Sequence, residues 1–426
     1  MAFACTTKWP PPQPRTRRGS MSIQGTCDPQ FSEVRSEFER NFAERGEVGA
    51  SVHVTIDGAP VVDLWGGVAD PATSRPWTED TVVHVWSCTK GATSLCAHIL
   101  ASRGLLDLNA PVSYYWPEFA QNGKENVLVR HLLNHSVGLP ALSEWLPAGA
   151  FYDWEAMTTA LAAASPLWEP GTRHGYHGLT FGFLVGEVVR RVTGVSLGSF
   201  FEKEVSGPLG LDFWLGLPED LEPLVSHTIP VDPTQPGILL PTLYITALTQ
   251  PESTAGMMLL NNGGYMAPGE SDSRAAHAAE MGAIGGISNA RGLAALYRPL
   301  ALGGSYNGVR LVSEEQIPQM SAVSSSGMDA VVSVPSRFAL GFQKAADNTY
   351  LAPNDREGWL VPEEAFGHSG MGGSLGFADP RARLSFGYAM NRQGPGLAIN
   401  ERGQSLVDAV YRALGYRQTG GGAWFA

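Results

Sequence analysis

Residues 48–70, VGASVHVTIDGAPVVDLWGGVAD, contain two apolar, β-branched runs separated by Asp57-Gly58. An Asp-Gly pair in this position favours a tight turn with positive φ, and the segment therefore predicts a β-hairpin. A second hairpin is predicted over residues 372–391, GGSLGFADPRARLSFGYAMN, with Asp379-Pro380 in its turn. We therefore expect an antiparallel sheet with strands from both ends of the chain.

Helical patterns flank both hairpins. Asp28-Pro29 supplies an N-cap and a first-turn proline, and the apolar positions that follow have helical spacing: Phe31, Val34, Phe38 and Phe42. A largely apolar helix is predicted from Ser87 to Arg103, ending at Gly104, and a helix of about 15 residues is predicted after Gly285. The C-terminal helix has one apolar face, made of Leu406, Val407, Val410, Tyr411 and Leu414.

The middle of the chain has a different pattern. Residues 111–279 show short helices and long loops, including a helix after Tyr176 that ends at Gly194. The predicted fold class is α/β (α+β): an antiparallel sheet flanked by helices, built from residues 28–110 and 280–420, with residues 111–279 as a mainly helical insertion. Within the insertion, residues 231–270 are rich in Pro, Gly and apolar residues, which fits either a cap over a cleft or a packed irregular loop.

The N-terminal segment is expected to lie outside this fold. Residues 1–27 are interpreted as a disordered or non-native extension, and Met21 as an alternative start. The basic, proline-rich first 20 residues lack the apolar stretch of a signal peptide.

Composition narrows the class of protein. The chain has 426 residues, 43% of them apolar, and a net charge of −12. This excludes global disorder and disfavours nucleic acid or anionic lipid as a partner. No apolar run reaches the roughly 20 residues of a membrane-spanning helix. Four cysteines, at positions 5, 27, 88 and 96, fit neither a disulfide framework nor a zinc site, so reduced thiols and a cytoplasmic location are predicted.

The most informative short stretch is residues 84–90, HVWSCTK, which places Ser87-x-x-Lys90 at the start of the predicted helix. Because three residues are just under one turn, Lys90 and Ser87 share one face. A lysine can remove the serine proton when burial lowers its pKa, and the helix N-terminus directs N–H groups at a developing oxyanion. The stretch therefore predicts a nucleophile and its base.

Two other motifs compete with this interpretation. Residues 372–376, GGSLG, match the Gly-x-Ser-x-Gly nucleophile elbow, but a hairpin follows and no histidine lies beyond His368. Ser374 is therefore interpreted as a turn or strand residue. His131 and His135 have the spacing of metal ligands on a helix but lack the glutamate of the zinc-protease motif, so they are interpreted as helix-end and loop anchors. No metal site and no nucleotide or other cofactor is predicted.

Three elements in chain order resemble the serine β-lactamase and penicillin-binding-protein superfamily, and within it the family VIII carboxylesterases. They are Ser87-x-x-Lys90, Tyr176 in GYHGLTFGF, and His368-Ser369-Gly370 in FGHSGMGGSLGFADP. The phrases LVRHLLNHSVGLP and WEPGTRHGY are also similar to this family, and the resemblance covers residues 28 to 416.

The resemblance implies a role for each element. It implies Ser87 as the acylated nucleophile, Lys90 and Tyr176 as the proton-transfer pair, and the Ser87 and Met371 N–H groups as an oxyanion hole. It also implies that the remaining motif residues bind substrate, a set made up of Trp86, His368, Ser369 and Gly370. A phenol beside an ammonium is expected to have a lowered pKa, which would let Tyr176 accept and return the serine proton.

Two departures from the β-lactamase pattern bear on substrate. Gly178 stands where that pattern has the asparagine of Tyr-x-Asn, and His368 stands where it has a lysine. Without that lysine the attraction for a substrate carboxylate is lost, and a neutral imidazole suits an uncharged ester. The predicted function is a serine esterase acting on small, short-chain carboxylic esters. An acyltransferase of secondary metabolism, a β-lactamase or peptidase, and a non-catalytic ligand sensor remain as alternatives.

Overall fold

A computed structural model describes residues 23–356, 358–419 and 423–426. Its helices are α1 (Ser32–Ala43), α2 (Thr89–Ser102), α3 (Val129–Leu133), α4 (Trp154–Ala163), α5 (Phe181–Thr193), α6 (Leu197–Phe201), α7 (Gly207–Leu209), α8 (Thr242–Thr249), α9 (Thr254–Leu260), α10 (Arg274–Ala278), α11 (Ala290–Ala301), α12 (Gln316–Ser321) and α13 (Glu401–Ala413).

The strands include the two predicted hairpins and many short segments. They are β1 (Gln24–Cys27), β2 (Gly49–Ile56), β3 (Ala59–Asp70), β4 (Arg75–Pro76), β5 (Val82–His84), β6 (Phe213–Leu215), β7 (Val225–Ser226), β8 (Gly286–Ser288), β9 (Ser305–Tyr306), β10 (Val309–Arg310), β11 (Ser325–Met328), β12 (Pro335–Phe338), β13 (Phe366–Ser369), β14 (Leu375–Asp379), β15 (Leu384–Met390), β16 (Arg417–Gln418) and β17 (Trp424–Phe425).

The main sheet is antiparallel and joins both ends of the chain, as predicted. Its strand order is β1-β3-β2-β15-β14-β13, with β4 paired to β3. The β2–β3 and β14–β15 hairpins meet where β15 pairs with β2, from Leu384 opposite Ile56 to Met390 opposite Ala50. The strand β13, which contains His368, lies at one end of this order.

The expected N-terminal boundary is wrong by a few residues. Gln24–Cys27 form β1, which pairs with β3 from Gln24 opposite Trp65 to Cys27 opposite Val62. Polar, solvent-facing residues form this strand, so its sequence lacks the apolar alternation that marks a buried one. The interpretations of Met21 and of residues 1–20 lie outside the described residues.

Helices cover both faces of the main sheet. On one face, α1 and α13 pack against each other and bury Phe38, Phe386, Leu406 and Tyr411 in a shared core. On the other face, α11 packs on β14 and β15, and its core continues into α2 and α5. These contacts hold α2, and with it the Ser-x-x-Lys stretch, against β13.

The middle of the chain is mainly helical but contains strands that were not predicted. These strands are β6, which pairs antiparallel with β8, and β7, which pairs parallel with β5. The helix expected after Tyr176 is confirmed as α5. It ends at Gly194, which has a φ of 76° and forms a left-handed C-cap. Residues 231–270 contain α8 and α9 with irregular chain around them, and the cap-like role of this segment stays a prediction. The division into two domains stays a prediction.

Two predicted helix boundaries differ from the structure. α2 begins at Thr89 rather than Ser87, because residues 87–88 form a turn after β5. The helix expected after Gly285 begins at Ala290 and has 12 residues, because Gly286–Ser288 form β8 and the Asn289 side chain caps the helix. Among the described residues, no helix has the length and apolar character to cross a membrane.

A buried ion pair links the two chain ends. Arg402 of α13 lies 2.7 Å from Glu47, just before β2, and both side chains are at least 90% buried. Tyr388 of β15 also donates a hydrogen bond to Glu47. Removing the arginine would leave an uncompensated buried carboxylate.

We therefore expect Arg402→Met to lower the free energy of unfolding by about 3–5 kcal/mol. Urea unfolding followed by circular dichroism would measure the change. Arg412→Met is the matched control. Arg412 lies on the same helix as Arg402 but forms a half-exposed ion pair with Glu33 of α1, so its loss should cost far less. Equal losses in the two variants would contradict the prediction.

Candidate active site

Ser87 lies in a strained turn between β5 and α2. The residue before it, Trp86, has a φ of 50°, an unusual value for a bulky side chain. The Trp86 ring is buried and stacks on His84, with ring centroids 4.1 Å apart. Strained backbone of this kind persists only when its surroundings hold it, and it is concentrated at functional sites. The turn places the Ser87 hydroxyl at the base of α2.

Three predicted side chains meet at this point. Ser87 Oγ lies 3.0 Å from Lys90 Nζ and accepts a 2.8 Å hydrogen bond from the Tyr176 hydroxyl. Ser87 and Tyr176 are buried but keep a small exposed surface, at 7% each, whereas Lys90 is fully buried. The structure therefore brings all three predicted groups within hydrogen-bond reach.

The surroundings of Lys90 favour an uncharged amine. Burial lowers the pKa of Lys90 well below its ordinary value, because desolvation disfavours the ammonium form. Lys90 Nζ donates to the carbonyls of Gly178 (2.7 Å) and Ala283 (3.0 Å). A neutral amine has two N–H groups, which these carbonyls occupy, and its lone pair is then left for the Ser87 hydroxyl. This arrangement can remove the serine proton.

The expectation for the pKa of Tyr176 is wrong. Burial raises the pKa of the Tyr176 phenol, and its hydrogen bond to Ser87 only partly offsets this. A lowered pKa of Tyr176 would require an ammonium at Lys90, but burial also lowers the pKa of Lys90 and so disfavours the ammonium form. Tyr176 is therefore a protonated phenol that can give a proton.

Gly370, which directly follows strand β13, lies beside the turn that carries Ser87. A Cβ on Gly370 would lie 2.3 Å from the Val85 carbonyl oxygen, so only glycine fits here. Within the described part of the chain, the backbone N–H groups of Ser87 and Met371 have no hydrogen-bond acceptor. Both are available to a ligand oxygen, as an oxyanion hole requires.

His368 is fully buried rather than exposed to a ligand. Its Nδ1 donates to the Ser369 carbonyl (2.7 Å), and burial lowers the pKa of His368 to about 3. The imidazole is therefore neutral at pH 7. Ser369 and Trp86 are also buried, so the predicted contacts of Trp86, His368, Ser369 and Gly370 with substrate stay predictions.

A cavity that is open to solvent lies beside Tyr176. Its wall is mainly apolar and includes Tyr176, Pro241, Leu243, Phe338 and Gln343. Pro241 precedes α8 and Leu243 lies within it, so residues of the 231–270 segment bound this cavity. The interpretation of this segment as a cap stays a prediction.

Sequence reasoning missed several groups around the site. The carbonyls of Gly178 and Ala283 bind Lys90, but no side-chain pattern marks them. Gly178 was noted only as a missing asparagine; in the structure a Cβ there would lie 2.5 Å from Met258 Sδ, which explains the absence of a side chain. Asp329 was missed because it follows β11, far from every motif in sequence.

The competing motifs have structural partners. Ser374 donates to the Val85 carbonyl (3.0 Å) in the turn before β14, which confirms its interpretation as a turn residue. His131 Nδ1 accepts from the Leu128 N–H, and His135 Nδ1 accepts from the His177 N–H. Both histidines anchor backbone, as predicted. Over residues 23–356, 358–419 and 423–426, no cluster of acidic, histidine or cysteine side chains has the geometry to hold a metal ion.

Asp329 fixes the backbone that carries Tyr176. Its carboxylate is buried and accepts hydrogen bonds from the Tyr176 N–H (3.0 and 3.1 Å) and from the Ser336 hydroxyl (2.9 Å). The N–H groups of Val331 and Val332 also donate to it. The position of the Tyr176 hydroxyl relative to Ser87 thus depends on this carboxylate.

We expect Asp329→Asn to lower kcat about 10-fold, with a smaller change in KM. The amide NH₂ cannot accept the bonds that one carboxylate oxygen receives, so Tyr176 would shift. Steady-state kinetics would separate kcat from KM. Asp347→Asn, at a surface turn where the carboxylate accepts from Thr349, is the control, and an equal effect there would contradict the positioning role.

The fold and the site together define a class. A serine, a lysine and a tyrosine that meet at the base of a helix beside an antiparallel sheet are the arrangement of the penicillin-recognising serine enzymes, whose sequences carry Ser-x-x-Lys. The chain belongs to the Beta-lactamase family, whose family model matches residues 35–409.

Individual relatives agree with this membership. The chain is 35% identical over 374 residues to the esterase/beta-lactamase LipL of Mycobacterium tuberculosis. The matched region covers 87% of this chain and 83% of LipL. A crystal structure of a family VIII carboxylesterase is 38% identical with a TM-score of 0.77, covering 92% of this chain and 100% of that one. EstA from Arthrobacter nitroguajacolicus is 31% identical with a TM-score of 0.79, covering 93% and 99%. The β-lactamase/transpeptidase-like fold implied by the resemblance is confirmed.

Proposed function

We propose that the protein is a serine carboxylesterase that cleaves small carboxylic esters through an acyl intermediate on Ser87. The observation that carries the proposal is the contact of Ser87 Oγ with both Lys90 Nζ (3.0 Å) and the Tyr176 hydroxyl (2.8 Å). Two relatives, one named an esterase/beta-lactamase and the other a family VIII carboxylesterase, support the same activity.

In the acylation step, Ser87 attacks the ester carbonyl carbon while its proton passes to the neutral amine of Lys90. The carbonyl oxygen becomes an oxyanion, which the N–H groups of Ser87 and Met371 bind. As the ester C–O bond breaks, the Tyr176 hydroxyl gives its proton to the departing alcohol oxygen. Proton transfer of this kind contributes roughly 10²–10⁴ in rate.

In the deacylation step, water attacks the acyl carbon and gives a proton to the Tyr176 phenolate. When the second tetrahedral intermediate collapses, Ser87 Oγ leaves and recovers a proton from the Lys90 ammonium. The carboxylic acid is released, and Ser87, Lys90 and Tyr176 return to their starting protonation states.

The charge near the site supports an uncharged substrate. Position 368 is a buried, neutral imidazole, with its pKa lowered to about 3, where the β-lactamase pattern has a cation. A substrate carboxylate would therefore find no countercharge from this position. The apolar wall of the cavity suits the hydrocarbon part of an ester.

We expect kcat/KM to rise with pH on the acid side and then to stay level to high pH. Lys90 acts as the base when it is neutral, so its lowered pKa moves the acid limb well below the ordinary lysine value of about 10.4. Tyr176 acts as the acid when it is protonated, so its raised pKa moves the alkaline limb above about 10. A profile that rises only near pH 10 would contradict a neutral Lys90.

A second candidate activity is β-lactam hydrolysis, because LipL is named an esterase/beta-lactamase. Rates on p-nitrophenyl esters of increasing acyl length and on a chromogenic cephalosporin would separate the two. We expect kcat/KM to be highest on a short-chain ester and far lower on the cephalosporin; the reverse order would overturn the esterase proposal. Product analysis with added alcohols would test the acyltransferase alternative.

The cytoplasmic location predicted from the sequence is part of the same proposal. It is supported by Cys27, Cys88 and Cys96, which are free thiols. Cys5 lies outside the described residues.

A further inference from the structure

Gln343 stands in the wall of the cavity beside Tyr176 and was not singled out by any sequence motif. Its backbone pairs with Gly367 of β13, through a 2.8 Å hydrogen bond from the Gln343 N–H. It also forms a bridge pair with Phe338, whose ring stacks on Tyr176 with centroids 5.9 Å apart. Gln343 therefore lies between the Tyr176 side of the site and the motif strand β13.

The orientation of the Gln343 amide is fixed by its partner. Gln343 Oε1 accepts from the Ser369 N–H (2.9 Å) and from the Ser369 hydroxyl (2.8 Å). A backbone N–H can only donate, so the atom that faces it must be the amide oxygen rather than the nitrogen. The NH₂ group is then directed away from Ser369.

The Gln343 NH₂ group has no acceptor among residues 23–356, 358–419 and 423–426. The residue is half-buried and lines the cavity. An apolar ligand group packed against this donor would leave two N–H groups without a partner, which costs free energy.

The location of the donor indicates which part of an ester it would meet. Ser369, which holds the amide, is two residues before Met371, whose N–H faces the oxyanion in the proposed mechanism. Tyr176, which protonates the departing alcohol oxygen in that mechanism, lines the same cavity as Gln343. The alcohol part of the ester is therefore the part that enters this cavity.

We propose that Gln343 Nε2 donates a hydrogen bond to an acceptor oxygen in the alcohol part of the substrate, and that the preferred substrates are esters of alcohols bearing a carbonyl group. This inference rests on the proposed esterase function. A site that presents a donor favours the ligand that pairs with it over the hydrocarbon that does not.

The test compares two acetates whose alcohols differ in one carbonyl group, 3-oxobutyl acetate and butyl acetate. We expect the wild-type enzyme to hydrolyse the ketone with a kcat/KM about 10-fold higher, measured by titration of released acid. In Gln343→Glu, a carboxylate oxygen still accepts from Ser369 but the donor is lost. We expect the ratio of the two kcat/KM values to fall to about one.

A second measurement needs no variant. Inhibition of the wild-type enzyme by the product alcohols should be about 10-fold stronger for 4-hydroxybutan-2-one than for butan-1-ol. Equal inhibition, an equal kcat/KM for the two acetates, or an unchanged ratio in Gln343→Glu would overturn the proposal. A preference for ethyl 3-oxobutanoate over ethyl butanoate, with none between the acetates, would place the acceptor on the acyl side and would also overturn it.

The two proposals fail in different ways. If Ser87→Ala abolishes hydrolysis of both acetates but the wild-type enzyme shows no preference between them, the inference about Gln343 is wrong and the esterase function stands. If Ser87→Ala hydrolyses both acetates at the wild-type rate, the esterase site itself is wrong.

Discussion

Ser87→Ala should lose about 10⁵-fold in kcat/KM on p-nitrophenyl acetate. The change removes the only atom that forms the acyl bond in the proposed mechanism, whereas the oxyanion donors and the cavity remain. Residual hydrolysis would then come from binding and from the free N–H groups alone. Initial rates at several substrate concentrations measure the effect. Circular dichroism shows whether the variant is folded.

Ser374→Ala is the matched control for this variant. Ser374 is also a buried serine in a short motif, and its hydroxyl donates to the Val85 carbonyl rather than facing Lys90. We expect its activity to stay within about 10-fold of wild type. Loss of activity in Ser374→Ala with activity retained in Ser87→Ala would make the Gly-x-Ser-x-Gly stretch the nucleophile and refute the assignment.

Lys90→Met should lower kcat about 10³-fold, the second largest effect we expect. Methionine fills a similar apolar volume but has no lone pair to accept the Ser87 proton. The carbonyls of Gly178 and Ala283 also lose their donor. Steady-state kinetics give kcat, and thermal unfolding shows whether the variant is folded.

Lys203→Met is the control for the chemical change itself. The Lys203 side chain is 79% exposed, so its loss should leave the rate unchanged. If Lys90→Met kept its rate within a factor of about ten, the amine would be structural, and another group would have to accept the serine proton.

Those parts of the fold that depend on neighbouring residues could be predicted from the sequence. Asp57 and Gly58 both have positive φ, at 51° and 81°, as the Asp-Gly turn requires. Apolar spacing and capping residues in the local sequence likewise predicted α1, α5 and α13. The pairing of β15 with β2 joins residues more than 300 positions apart. Sequence patterns predicted that both chain ends share one sheet, but they could not predict the register of this pairing.

The candidate site divides in the same way. Ser87, Lys90 and Tyr176 were found through motifs, and the structure brings them together. Asp329 and Gln343 were not found, because each acts through a contact made by the tertiary fold: Asp329 with the Tyr176 N–H, and Gln343 with Ser369. The pKa of Tyr176 was predicted in the wrong direction because it depends on burial, which motif spacing does not report.

Acid-quenched mixing of the enzyme with p-nitrophenyl acetate, followed by intact-mass and peptide analysis, tests the covalent step. We predict that one acetyl group appears on the enzyme within the first turnover and that it maps to Ser87. In Tyr176→Phe, which cannot accept the proton of the attacking water during deacylation, this adduct should persist longer. An acetyl group on any other residue, or rapid hydrolysis with no trapped adduct in either protein, would contradict the acyl-Ser87 mechanism.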